Sequence, residues 1–151
     1  MGATEKGTVN IRRMGRSDVD AVLAIDRKIS EGQGLITYRD MVAADPGGTL
    51  DLSFVAEVED KVVGFILARL TYAGVPFIEL AVIQAVVVDP DYQRRGIASR
   101  LVNALLGHCH AEGINTIRAV LDERNTELRR FFEHLGFRRS ELVNYARTFE
   151  S

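Results

Sequence analysis

The chain has 151 residues, of which 46% are hydrophobic and 26% charged, the balance of one soluble globular domain and not of a disordered segment. Nineteen basic against twenty-one acidic residues leave a net charge of −2, which offers no sequence-independent grip on nucleic acid or on an anionic membrane. The longest apolar runs, residues 62–68 and 80–88, fall far short of the roughly 20 residues a membrane span needs. A single cysteine, Cys109, and a short polar N-terminus without a signal-peptide core point to a reducing cytoplasm as the compartment.

In chain order, residues 1–7 are expected to fray and residues 8–151 to form one domain. Residues 9–13 read as a short strand. Ser17-Asp18-Val19-Asp20 carries the side-chain oxygens of a capping box and opens a helical pattern through Val22, Ile25 and Ile29 that ends near Ser30. Glu31-Gly32-Gln33-Gly34 breaks this pattern, and Thr37 with Asp40 starts a brief second helix that stops before Asp45-Pro46-Gly47-Gly48. From Leu52 the period becomes that of strands. Residues 52–58 and 61–70 form a hairpin across Glu59-Asp60, and residues 77–88 a third consecutive strand. Val86-Val87-Val88 is apolar at successive positions, as in a sheet covered on both faces.

Ala98, Leu101, Val102, Leu105 and Cys109 then mark one face of a long helix ending near Gly113. Residues 116–121 follow as a strand, after a crossover long enough for a parallel partner. Asn125 can cap a last helix with Leu128, Phe131, Phe132 and Leu135 on its inner face, closed by Gly136. Residues 137–139 and 144–149 finish as strands, giving the order β-α-α-β-β-β-α-β-α-β-β.

The chemistry concentrates where the third apolar strand passes through Asp89-Pro90-Asp91-Tyr92-Gln93 into Arg94-Arg95-Gly96-Ile97-Ala98-Ser99 at a helix start. The first N–H groups of a helix lack intrahelical partners and sit at the positive end of its dipole, which suits a phosphate or pyrophosphate. Gly96 and Ala98 are small enough for close approach, and Arg94 and Arg95 can add charge-assisted bonds. Neither a G-x-x-x-x-G-K-[ST] loop nor the glycines of a dinucleotide fingerprint are present. His108, Cys109 and His110 are consecutive on a helix and cannot converge on one metal, so no metal is expected.

The string Gln93-Arg94-Arg95-Gly96-Ile97-Ala98 resembles the [RQ]-x-x-G-x-[GA] signature of the GNAT superfamily of N-acetyltransferases. Asn125 and the block Phe131-Phe132-Glu133-His134-Leu135-Gly136-Phe137 are similar to the family's second element, and the order of elements agrees over nearly the whole chain. The resemblance implies an α/β (α+β) fold, with a mixed, mostly antiparallel sheet of about seven strands flanked by about four helices and splayed between strands 4 and 5. It further implies acetyl-CoA as cosubstrate: Val86, Val87 and Val88 would meet the pantetheine arm, Arg94, Arg95, Gly96, Ile97, Ala98 and Ser99 the pyrophosphate, and Asn125 the cofactor from the last helix. The valines are core residues under either reading, and without the resemblance the arginines are solvated loop charges and Asn125 a helix cap.

The implied reaction moves an acetyl group from acetyl-CoA to a primary amine. Many relatives place a tyrosine as general acid where this chain has Phe132, which has no proton to give. Tyr145 is the substitute to test, with an amphipathic strand residue as its plain alternative. Glu79, polar on an apolar strand together with Gln84, can act as a base through water or sit at the strand's solvent end. The acceptor, whether small amine, antibiotic, peptide N-terminus or protein lysine, is not written in the sequence, although the resemblance places its selection in residues 30–37 and 71–76. A homodimer accords with the resemblance. The rival reading is a catalytically silent acyl-CoA-binding regulatory module on the same fold, which would bind acetyl-CoA without releasing CoA.

Overall fold

The apolar runs between Leu52 and Val88 become the centre of one sheet. In the computed structural model, which describes residues 8–30 and 45–149, five strands lie in the order β1-β2-β3-β4-β5. They are β1 Asn10–Arg13, β2 Phe54–Val58, β3 Lys61–Ala73, β4 Ile78–Val88 and β5 Ile117–Ala119. The first four pair antiparallel, and β5 joins β4 in parallel. Three α-helices accompany them: α1 Val19–Ser30, α2 Ile97–Ala111 and α3 Thr126–His134.

The fold is therefore mixed α/β with one mostly antiparallel sheet, but the described residues hold five strands and three α-helices, not the expected seven and four. The second helix, expected from Thr37, falls in residues 31–44, outside the described residues. The two closing strands do not form. Residues 137–149 enter no ladder, and Val143, Tyr145 and Phe149 stand exposed. An alternating apolar pattern makes a strand only where a neighbour takes up its N–H and C=O groups, and here none does.

Two compact units divide the chain, Met1–Val120 and Leu121–Ser151. In the first, the β2–β3 turn has positive φ at both Glu59 (51°) and Asp60 (65°), the left-handed pair that matches strand twist in a two-residue hairpin. One face of the sheet packs on α1, where Val22 and Ile25 meet Met14, Val55, Phe65, Leu67 and Ala85. Across the other face lies α2, with Ile97, Leu101, Val102, Leu105 and Cys109 buried, each large apolar side chain contributing roughly 1.5–3 kcal/mol. The Cys109 thiol is pushed up by burial and is part of this core. Gly64 makes the close approach of α2 possible: a Cβ there would lie 3.1 Å from the Val87 carbonyl and 3.4 Å from Ile97.

The entry to α1 differs from the expected cap. Asp18, not Ser17, carries it: a 3₁₀ turn over Arg16–Asp18 precedes the helix, and Asp18 Oδ2 accepts from the Gly15 N–H at 2.8 Å. Asp18 also receives both terminal nitrogens of Arg12 at 2.8 Å each, and Arg12 pairs in addition with Glu57. The Arg12 guanidinium holds the buried Asp18 carboxyl below the usual range, the hydrogen bond outweighing desolvation.

In the second unit Asn125 caps α3, its Oδ1 accepting from the Leu128 N–H at 3.1 Å. Phe132 is buried, with edge-to-face contacts to Phe131 and Phe137 at 5.1 Å each. A phenol at this position would need a hydrogen-bond partner among aromatic rings, whereas phenylalanine needs none.

Candidate functional site: a forked strand and the loop after it

Two irregularities shape β4. Opposite β3, Leu67 pairs with Ala85 and Ala68 with Ile83, so Gln84 is the extra residue of a bulge, and it is exposed. Opposite β5, pairing covers only Ala81, Val82 and Ile83, which face Ile117, Arg118 and Ala119. Beyond Ile83 the two parallel strands part, and residues 85–88 keep β3 as their one ladder neighbour among the described residues. The Asp89 N–H donates to the Val63 carbonyl on β3 at 2.8 Å. By the two-residue alternation of strand backbone, Val87 also bonds toward β3, while Val86 and Val88 turn their N–H and C=O groups toward the open fork. The Val88 carbonyl is taken by Gln93 Nε2 at 3.1 Å.

A loop closes the C-terminal end of β4. Asp89 is buried and accepts from the Asp91 N–H at 2.9 Å, capping a 3₁₀ turn over Pro90–Tyr92. Lys28 from α1 bridges Asp89 at 2.9 Å and Asp91 at 2.7 Å. Burial pushes the Asp89 carboxyl up, but the hydrogen bonds from Lys28 and the Asp91 N–H outweigh it and leave the carboxyl below its ordinary range. The hydrogen bonds of Lys28 to Asp91 and then to Asp89 push its ammonium up to about 12. Lys28 thus offsets one of the loop's two carboxylate charges, and Arg94 and Arg95 form no ion pair among the described residues. The Arg95 guanidinium lies over the Tyr92 ring at 5.2 Å, and Lys61 reaches the same ring at 5.6 Å.

Arg94 and Gly96 both take left-handed backbone conformations, with φ of 66° and 75°. This places residues 94–96 as a turned lip before α2. A Cβ on Gly96 would meet nothing within 4 Å, so the lip is open. The first helical bond runs from the Arg100 N–H to the Gly96 carbonyl. The N–H groups of Ile97, Ala98 and Ser99 therefore stand without intrahelical partners, as at any helix start. Ile97 is 1% exposed, so its side chain serves the core and only its backbone can serve a ligand.

Of the residues singled out in the sequence, Val86, Val87, Val88, Arg94, Arg95, Gly96, Ile97, Ala98 and Ser99 come together in the first unit. Asn125 and Tyr145 lie in the second unit. Tyr145 is 95% exposed on an irregular segment. Glu79 is exposed near the start of β4 and accepts from the Tyr72 hydroxyl at 3.1 Å, a bond that pushes the Tyr72 phenol up. Sequence reasoning missed Lys28, and it read Gln93 only as the first residue of the signature string. Asp89 before Pro90 was a readable cap signal, but nothing local in Lys28 foretells a partner 61 residues away. Among the described residues no group of three or more His, Cys, Asp or Glu is placed to hold a metal ion, and no helix is long and apolar enough to cross a membrane.

Comparison with known proteins places the chain in a family and a fold. The model of the "Acetyltransferase (GNAT) family" matches residues 22–137. An uncharacterized N-acetyltransferase of Methanocaldococcus jannaschii is 26% identical over 147 residues, covering 90% of this chain and 63% of that protein. A ribosomal protein bS18-alanine N-acetyltransferase of Haemophilus ducreyi is 23% identical, with 73% of this chain and 72% of the relative covered. A mycothiol acetyltransferase of Thermobispora bispora is 33% identical across 63% of this chain but only 31% of its own length. The chain thus spans less than two thirds of the first of these and about a third of the last. Among solved structures, an aminoglycoside N-acetyltransferase in complex with CoA superposes with a TM-score of 0.77 at 19% identity, covering 93% of this chain and 95% of that one.

Proposed function

Because the chain belongs to the GNAT acetyltransferase family, we propose that it transfers an acetyl group from acetyl-CoA to a primary amine. The observation that carries this reading is the fork of β4 from β5 leading directly into an open, cationic helix start. The two features offer an extended ligand first strand-like backbone partners and then a phosphate cradle.

In this reading the backbone N–H groups of Gly96 to Ser99, with Arg94 and Arg95, hold the pyrophosphate. Val86 and Val88 present amide partners to the pantetheine arm along the fork, and Asn125 meets the cofactor from α3 with the amide nitrogen its cap leaves unused. The thioester supplies an activated acyl carbon. The amine nitrogen bonds to that carbon, the carbon–sulfur bond breaks, the amine gives up a proton and the departing thiolate gains one. A lysine amine, with a pKa near 10.4, is neutral in only roughly one molecule in a few thousand at pH 7, whereas an α-amine with a pKa near 8 is neutral in about a tenth. The lysine acceptor therefore needs a base far more. Glu79, through water, is our candidate base and Tyr145 our candidate acid. The burial of Phe132 against Phe131 and Phe137 supports a packing role where relatives place a tyrosine, and in this reading the proton comes from elsewhere.

Acetyl-CoA at 100 times its dissociation constant should stabilise the fold by about 2.7 kcal/mol, visible as a rise in melting temperature that NAD and ATP do not match. Thiol release should follow when amines are added. Absence of both the melt shift and calorimetric binding would remove the cofactor assignment, and binding without thiol release across a broad amine panel would favour a silent acyl-CoA-binding module.

A further inference from the structure

We propose that Arg69 and Arg118 form an anion-recognition subsite for the acceptor, so that the amine this protein acetylates carries a carboxylate or phosphate. The inference rests on the reading of the β4–β5 fork as the place of acyl transfer.

The two arginines flank β4 in a single row. Arg69 on β3 pairs with Val82, and Val82 pairs with Arg118 on β5. Residues side by side across strands point to the same face, about 4.8 Å apart per strand. Alternation along β3 puts Arg69 on the face of Phe65 and Leu67, which is the α1 face. The row sits immediately before Gln84 and the last β4–β5 pair, at the root of the fork. An acyl chain laid along residues 88 to 85 from the phosphate cradle ends here. The opposite face of this stretch is closed by α2 and the buried residues Ala68, Ala81 and Ile83.

Both guanidinium side chains are partly buried, and among the described residues neither meets a carboxylate or any hydrogen-bond acceptor. The Arg118 Nε is itself buried and unpartnered. Arg12 by contrast meets Asp18, and Arg13, whose Nε is likewise buried and unpartnered, gives its Nη2 to the Asp51 carbonyl at 2.6 Å. A buried donor without a partner is costly, and two long planar cations on either side of β4 can converge on one anionic group. Asp51 stands beside Arg69 in the same row, but its two oxygens accept from the Gly47 and Ser53 N–H groups at 2.9 and 3.2 Å, and Glu79 lies on the opposite face by alternation and is engaged by Tyr72. Among the described residues neither guanidinium has an ion-pair partner, which favours an anionic group on the acceptor over a polycationic amine.

Matched acceptors test this: alanyl-glutamate against alanyl-glutamine, and O-phosphoethanolamine against ethanolamine, with an aminoglycoside as the polycation. Binding is measured by calorimetry on the free and the CoA-saturated protein, and turnover by thiol release. One acidic member should exceed its neutral partner by at least tenfold in affinity, and which pair responds tells carboxylate from phosphate. The double variant Arg69→Gln/Arg118→Gln should erase that preference while leaving CoA affinity unchanged. Equal behaviour of acidic and neutral members in the wild-type protein overturns the proposal. So does an anion that binds the free protein but is expelled by CoA in step with a loss of CoA affinity in the variant, since the arginines would then hold the cofactor. If CoA itself does not bind, the acetyltransferase reading falls, and the comparison on the free protein still decides the anion subsite.

Discussion

Gly96→Glu puts a carboxylate into the lip that the proposed function assigns to pyrophosphate, and the structure separates its two effects. A Cβ there clashes with nothing, because no atom lies within 4 Å. The cost to the fold is that of a left-handed φ of 75° in a residue with a side chain, about 1–2 kcal/mol. For a domain of this size that lowers the melting temperature by roughly 2–8 °C, and Gly96→Ala should show the same drop. The charge acts on the ligand alone. A carboxylate about 5 Å from one phosphate charge, at an effective dielectric constant near 20, opposes binding by about 3 kcal/mol, somewhat more than 100-fold. Calorimetry of CoA binding on both variants, with circular dichroism to follow the fold, distinguishes the contributions: the alanine variant binds nearly as the wild type does, and the glutamate variant does not. Equal CoA affinity in all three proteins would refute the placement of the phosphates at Gly96.

Tyr145→Phe removes a hydroxyl from a 95% exposed ring, so stability should not change; if Tyr145 is the acid, turnover falls about 100-fold or more at unchanged acetyl-CoA affinity, and an unchanged rate dismisses it. Lys28→Met withdraws the bridge from buried Asp89, and should raise hydrogen exchange over residues 89–93 and weaken CoA binding, whereas Lys28→Arg should preserve both; unaltered exchange would show that the bridge does not hold the loop. Asp18→Asn breaks the paired Arg12 contacts at a 5% exposed carboxylate and should cost about 2 kcal/mol, less than a fully buried pair because Arg12 is one third exposed. Since the folded pKa of Asp18 is depressed, its contribution is fully present above the unfolded carboxylate value near 3.9 and is lost as pH falls through the lower folded value. Melts of the wild type and Asp18→Asn should therefore converge in acid, and a gap that persists there would contradict the assignment.

The parts of the fold that follow local rules were legible. Alternation and turn residues located the β2–β3–β4 meander, and the 3.6-residue period located α2, although Ile97 and not Ala98 opens its buried face. The strand–loop–helix junction could be read because helix starts and small residues have fixed electrostatic meaning. What escaped depends on distant partners. Strand-like residues 144–149 form no strand because pairing, unlike helicity, is not satisfied within the segment. The Lys28 bridge and the Arg69–Arg118 row exist only through sheet register, and register reveals itself in single residues poorly. Gln84 was the one visible trace: a polar residue interrupting an apolar strand marks the position where the ladder carries one residue too many.

That extra residue divides β4 without changing its phase. Because Ile83 and Ala85 already pair with the consecutive residues Ala68 and Leu67, removing Gln84 would leave Val82 in the row of arginines and Val86 and Val88 toward the fork, and only the protruding residue itself would be lost. The bulge is therefore a local device: it projects one exposed polar side chain where the pairing with β5 stops, while β3 holds the strand on either side of it in a single alternation.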